Sequence, residues 1–221
     1  MIQVLGDIIP FAVGVALSPF PIIAAVLVML SPAGRAAGLA FLAGRVLGVA
    51  VIVFLVSALS DLIERSEDAS PAVAVLRILV GGALVALAVW KWRGRPREAA
   101  DASLPGWMGA IEGTSTAGAA RLAFLLSVAN PKELLLGVGA GVTIGSAGLS
   151  VGSIAVAIGV FTLIAAASVA IPVIAYLVAS ARMAGPLESL RGWLVHNNAT
   201  VMAVLLLVIG FVLIGKGIAS F

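Results

Sequence analysis

Apolar residues in this chain neither alternate nor keep to one helical stripe; they run in long blocks separated by short polar clusters. A helix needs roughly 20 apolar residues to cross a bilayer, and six blocks meet that length: about 4–30, 36–60, 72–92, 117–145, 148–179 and 198–219. The period-two pattern of a membrane β-barrel is absent. The pattern therefore predicts an all-α polytopic membrane protein with six transmembrane helices.

Two blocks are interrupted. "GVALSPFPIIAAVLVMLSP" carries Ser18, Pro19 and Pro21 in mid-span, and "FLLSVANPKELLLGVGAGV" carries Asn130, Pro131, Lys132 and Glu133. Each proline removes a backbone N–H and clashes with the preceding turn, so spans one and four should break there. The breaks lie three spans apart. Halves of three spans have opposite orientation, and matched interruptions in inverted halves mark the binding site of a transporter. We therefore expect one domain over 1–221, built as a 3+3 inverted repeat: repeat one about 4–92, a cytoplasmic loop about 93–116, and repeat two about 117–219.

Composition supports the membrane assignment: 62% of the 221 residues are hydrophobic and 10% charged, with a mean hydropathy of +1.22. The net charge is only +3, which gives no reason to expect nucleic-acid binding. There is no cysteine and a single histidine, His196. A thiolate nucleophile is excluded, and neither a metal site, a cofactor nor an enzymatic role is expected. No charged n-region precedes the first block, so we expect it to stay in the membrane rather than be cleaved as a signal peptide. No ATP-binding motif is present; energy for any transport would come from a gradient or a partner.

The basic residues set the orientation. Arg35, Lys91, Arg93, Arg95, Arg97, Arg121, Arg182 and Arg191 flank one side, against Arg65 and Lys216 on the other. The positive-inside rule places the first group in the cytoplasm, with both termini outside. Trp90, Trp92 and Trp107 are expected as interfacial anchors in a basic collar, which could alternatively be a platform for anionic lipid heads. Arg77 is expected to snorkel outward.

Depth then selects candidate residues. Ser18 lies roughly 20 Å along the first span, Lys132 roughly 16 Å beyond Arg121, and Arg45 roughly 15 Å into the second span. All three fall near the middle of a core about 30 Å thick. Ionisable groups at that depth are functional candidates. The expected substrate-binding or pathway residues are Ser18, Pro19, Pro21, Arg45, Asn130, Pro131, Lys132 and Glu133. Two cations and exposed half-helix N–H ends would favour an anionic group. Glu133 is a candidate proton carrier or a neutralising partner for Lys132 or Arg45, and Asp7 is another possible partner of Arg45. His196, Asn197 and Asn198 are expected to cap the start of span six. Glycines four apart (Gly44 and Gly48; Gly137, Gly141 and Gly145) suit close helix packing within the bundle, or a homodimer face.

Taken in order, "ALSPFPIIAAVLVMLSPAGRAAGLAFLAGRVLG", "LPGWM", "NPKELLLGVGAG" and "WLVHNNATVMAVLLLVIGFVLIGKGI" resemble the GAP-like proteins, the peptidoglycolipid- and sulfolipid-addressing proteins of actinobacterial envelopes. That family is grouped with the lysine-exporter superfamily. The resemblance implies a six-helix protein of the inner (plasma) membrane that exports or flips a glycolipid-like substrate beside a large lipid transporter. The matching positions are Ser18, Pro19, Pro21, Asn130, Pro131 and Lys132, together with His196 and Asn197, whose role it leaves open. Two other functions stay open: an exporter of amino acids or other small solutes, and an accessory subunit of a lipid-export machine.

Overall fold

The computed structural model describes residues 1–64, 71–95, 111 and 113–219. Among these, seven α-helices follow one another: α1 (Ile2–Ala16), α2 (Pro19–Leu30), α3 (Gly34–Glu64), α4 (Pro71–Arg93), α5 (Thr116–Val128), α6 (Pro131–Gly145) and α7 (Val151–Ile218). Most of the loop expected at 93–116, with Arg97 and Trp107, lies outside the described residues, as do Arg65 and the side chains of Arg77 and Lys216.

The two proline-bearing blocks are bent pairs. α1 and α2 meet at 51°, and α5 and α6 at 67°. Each second helix starts with proline at its first position, where the missing N–H costs nothing, so the breaks fall at Leu17–Ser18 and Ala129–Asn130. Four further stretches are long and apolar enough to cross a membrane: Gly34–Ser60, Ala74–Arg93, Val151–Ser180 and Arg182–Gly215. With each bent pair counted once, the spans number six. The chain is thus an all-α polytopic membrane protein.

The helix that carries the sixth span begins well before 198. α7 continues through a bend at Ala179 (φ −141°, ψ 52°) and remains helical from there to Ile218. His196, Asn197 and Asn198 therefore lie within a helix and do not cap one. Asn197 Nδ2 donates instead to the Trp193 carbonyl, one turn back, at 2.9 Å. The stretch before 198 is too polar to register as a membrane block, but Leu187 and Leu194 still turn a buried face inward. At the bend, Arg35 Nη2 donates to the Leu177 carbonyl at 2.6 Å and ties the start of α3 to this corner.

Packing is organised as two apolar cores. One gathers α2, the start of α3 (Ala37, Phe41), α5 (Ala119, Ala123), and α7 on either side of its bend (Val169, Val173, Leu187, Leu194). The other gathers α1, α6, later α3 (Val49, Val53), α4 (Leu84, Ala88) and both ends of α7 (Phe161, Ala165, Leu206, Ile209). Glycines let α3 run against the broken span. A Cβ on Gly44 would lie 2.1 Å from the Ala120 carbonyl oxygen, and one on Gly137 would lie 2.6 Å from Ile52 Cγ2. At Gly44 the two backbones touch, and at Gly137 the Ile52 side chain fills the space, so both glycines serve packing inside the bundle.

Candidate functional site

The junction between the two cores is polar on every passage of chain that crosses it. Ser18 lies between Val15 and Ile22. Arg45 lies between Phe41 and Val49 on α3. Ser127, Lys132 and Glu133 lie between Ala123 and Leu136. On α7, Ser168 falls between Ala165 and Val169, and Asn198 and Met202 fall between Leu194 and Leu206. Ser18, Arg45, Ser127, Lys132 and Glu133 are all buried, with relative exposures of 0–2%.

Local backbone explains how the breaks meet. Ser18 (φ −79°, ψ 111°) and Asn130 (φ −81°, ψ 113°) hold almost the same extended conformation, each immediately before a proline. Along α1 and α6, Phe11 lies against Gly139 and Gly14 against Leu136. The pairing moves three residues up one helix as it moves three down the other, so the helices are antiparallel. Continuing that register brings Ser18 level with Lys132. The two N-termini are finished differently. Asn130 Oδ1 accepts the Lys132 N–H at 3.1 Å; Ser18 makes no side-chain cap, and its Oγ is buried without a hydrogen-bond partner.

Arg45 joins the pieces. Its Nη1 donates to Glu133 Oε2 and to Ser127 Oγ (2.9 Å), and its Nη2 donates to the Val15 carbonyl at 3.3 Å. Ser127 Oγ in turn donates to the Ala123 carbonyl at 3.0 Å. One guanidinium therefore reaches the last turn of α1, the last turn of α5 and the first turn of α6. Both helix C-termini present the negative ends of their dipoles to it. The arrangement realises the expected Arg45–Glu133 pairing, with both side chains at 1% exposure.

Lys132 has no such partner. Its Nζ donates to the Met202 thioether at 3.6 Å, a weak acceptor for a group with three donors. Glu133 and Arg45 are its charged neighbours. The layer thus holds a guanidinium, an amine and one carboxylate, and that carboxylate is engaged by Arg45. Several polar atoms in it lack hydrogen-bond partners: Ser18 Oγ, Arg45 Nε, Glu133 Oε1, Ser168 Oγ and Asn198 Oδ1. Buried orphans of this kind are rare in proteins and call for an explanation at each site.

Of the expected site residues, Ser18, Arg45, Asn130, Lys132 and Glu133 come together at this junction, with Pro19, Pro21 and Pro131 setting its backbone. Sequence reasoning missed Ser127, Ser168, Asn198 and Met202. Ser127 could have been found, since it sits one turn before Pro131; Ser168 sits in an alanine-rich run that carries no signal.

These features define a class: an all-α polytopic membrane protein whose two broken spans meet at a buried polar layer holding Arg45, Glu133 and Lys132 between two apolar cores. Within that class the chain belongs to the SfLAP family, described as Sap, sulfolipid-1-addressing protein, whose family profile matches residues 8–219. No curated protein and no solved structure matches the chain.

Proposed function

We propose that this protein is an exporter of the lysine-exporter type, moving an anionic, lipid-like solute such as a glycolipid outward across the bacterial inner membrane. Lys132 carries the reading. A lysine amine buried at mid-depth beside a thioether gains most from an anionic ligand, which would hold it as an ammonium where hydrocarbon alone makes that charge cost several kcal/mol. The orphan oxygens of Ser18, Glu133, Ser168 and Asn198 are further groups a polar head could engage. The family's description as sulfolipid-addressing favours a lipid over a soluble solute. In this reading spans one to three and four to six are inverted repeats. The loop between Arg93 and Arg121 faces the cytoplasm, both termini lie outside, and a large lipid transporter is a partner.

One observation favours a second solute class. Glu133 Oε1 lacks a donor, and an acceptor beside Lys132 suits a zwitterion, hence export of an amino acid. Proteoliposomes loaded in parallel with fluorescent anionic lipid and radiolabelled amino acids separate the two. Anionic lipid should move, and Lys132→Met should stop it while leaving the protein folded. Amino-acid flux alone establishes the second reading. If neither moves and a large lipid transporter co-purifies, the chain is an accessory subunit.

A further inference from the structure

Outside the polar layer, α3 and α5 leave an apolar groove of about 620 Å³ along their seam. Ala43, Gly44 and Leu47 line it from α3, and Ala120, Phe124 and Leu125 from α5, with the Gly44–Ala120 approach as its floor. The floor is fixed, because the α3 and α5 backbones touch at Gly44 and Ala120. The groove is therefore a permanent feature of two helices already in contact. Leu47 and Leu125 stand 57% and 55% exposed on its rim, facing the surroundings of the bundle.

Arg121 is the one charged residue lining the groove. It is exposed and has no hydrogen bond or ion pair among the described residues. No acid is available to it on either groove helix: α5 has none, and α3 has none before Asp61. By helical rise it stands roughly 9 Å from the level of Ser127, toward the cytoplasmic side on the positive-inside orientation. The combination is an acyl-sized trough with an exposed guanidinium, unpaired among the described residues, at headgroup level.

We infer that this groove holds one acyl chain of an anionic lipid of the cytoplasmic leaflet, with the lipid's acidic headgroup on Arg121. The groove's lining stops at Leu47 and Leu125; one residue further along α3, a Cβ on Gly48 would lie 2.8 Å from the Cβ of Ser127, whose hydroxyl holds Arg45. A lipid seated there lies against the thin wall of the polar layer, at the seam that must part for its headgroup to reach Lys132. Its place as first station of the path rests on the lipid-moving reading above; lipid binding in the groove does not.

The absence of native cysteine makes the test direct. Leu47→Cys is labelled with bimane, and the protein is reconstituted in phosphatidylcholine vesicles holding a minor fraction of brominated lipid. One guanidinium at headgroup level corresponds to about five-fold enrichment of an anionic lipid over a zwitterionic one. Brominated phosphatidylglycerol should therefore quench the label well beyond its mole fraction, and brominated phosphatidylcholine in proportion to it. The excess should vanish in Arg121→Gln and persist in Arg121→Lys. A label at Ile171→Cys, exposed on α7 away from the groove, should report mole fraction alone. Equal quenching by the two lipids, or an excess that survives Arg121→Gln, overturns the inference. If the unlabelled protein moves no lipid yet the excess holds, the transport reading falls and this site stands. If lipid moves without the excess, the site falls.

Discussion

Removing the Glu133 carboxylate should harm the fold more than removing the Arg45 guanidinium, although the two form one ion pair. Both side chains are 99% buried, and breaking a buried pair costs about 3–5 kcal/mol because a charge is left uncompensated. The residue left behind differs in the two cases. Arg45→Met leaves Glu133 beside Lys132, so one anion and one cation remain in the layer. Glu133→Gln leaves the Arg45 guanidinium in the layer with no carboxylate, and any charge on Lys132 opposes it. The second variant should fall in the upper part of that range, and the first in the lower part despite losing bonds to Ser127 and Val15. The double variant leaves a single cation, Lys132, and should cost less than the sum by about 2 kcal/mol, within the coupling expected of contacting residues. Reversible unfolding in mixed micelles, followed by circular dichroism, gives all four free energies. Additive single and double effects, or Arg45→Met as the more damaging change, would refute the reasoning.

Other consequences follow from the same contacts. Gly44→Ala puts a Cβ 2.1 Å from a backbone carbonyl oxygen and should destabilise by about 2 kcal/mol through overpacking. Gly82→Ala, with nothing within 4 Å of its added Cβ, should instead stabilise by up to about 1 kcal/mol through helix propensity; melting temperatures compare them. Asn130→Ala removes a cap that accepts the Lys132 N–H and should cost about 1 kcal/mol. Ser18→Ala, whose hydroxyl has no partner, should cost almost nothing in the same melts, yet should lower lipid flux if that hydroxyl meets the passing headgroup.

The breaks were legible in the sequence because proline acts locally. Pro19 and Pro131 each open a helix after a polar Ser18 or Asn130 in extended conformation, whereas Pro10, Pro172 and Pro186 lie inside helices, so the proline marks a break only together with its polar neighbour. Arg45 and Lys132 stood out because charge in an apolar block is rare. The start of span six was not legible: the segment from Arg182 to Asn198 is helical through tertiary packing of Leu187 and Leu194, which a hydropathy block cannot register. Nor could the sequence separate Lys132 from Arg45. Both looked like mid-depth cations, and only the arrangement of α1, α5 and α6 gives Arg45 a carboxylate, a hydroxyl and a carbonyl, while α7 gives Lys132 a thioether. Ser168 and Asn198 were hidden for a similar reason, since their significance comes from lying at the junction of two cores built from distant segments.

The account turns on Lys132 as the anchor for an anionic head between the two helix breaks. A cryo-EM map of the protein in nanodiscs with a sulfated or phosphorylated amphiphile tests it most directly. The account predicts headgroup density within hydrogen-bonding distance of Lys132 Nζ, between Ser18 and Asn130, and loss of that density in Lys132→Met. Spans one and four running unbroken, or headgroup density away from Lys132 and unchanged by the substitution, would contradict it.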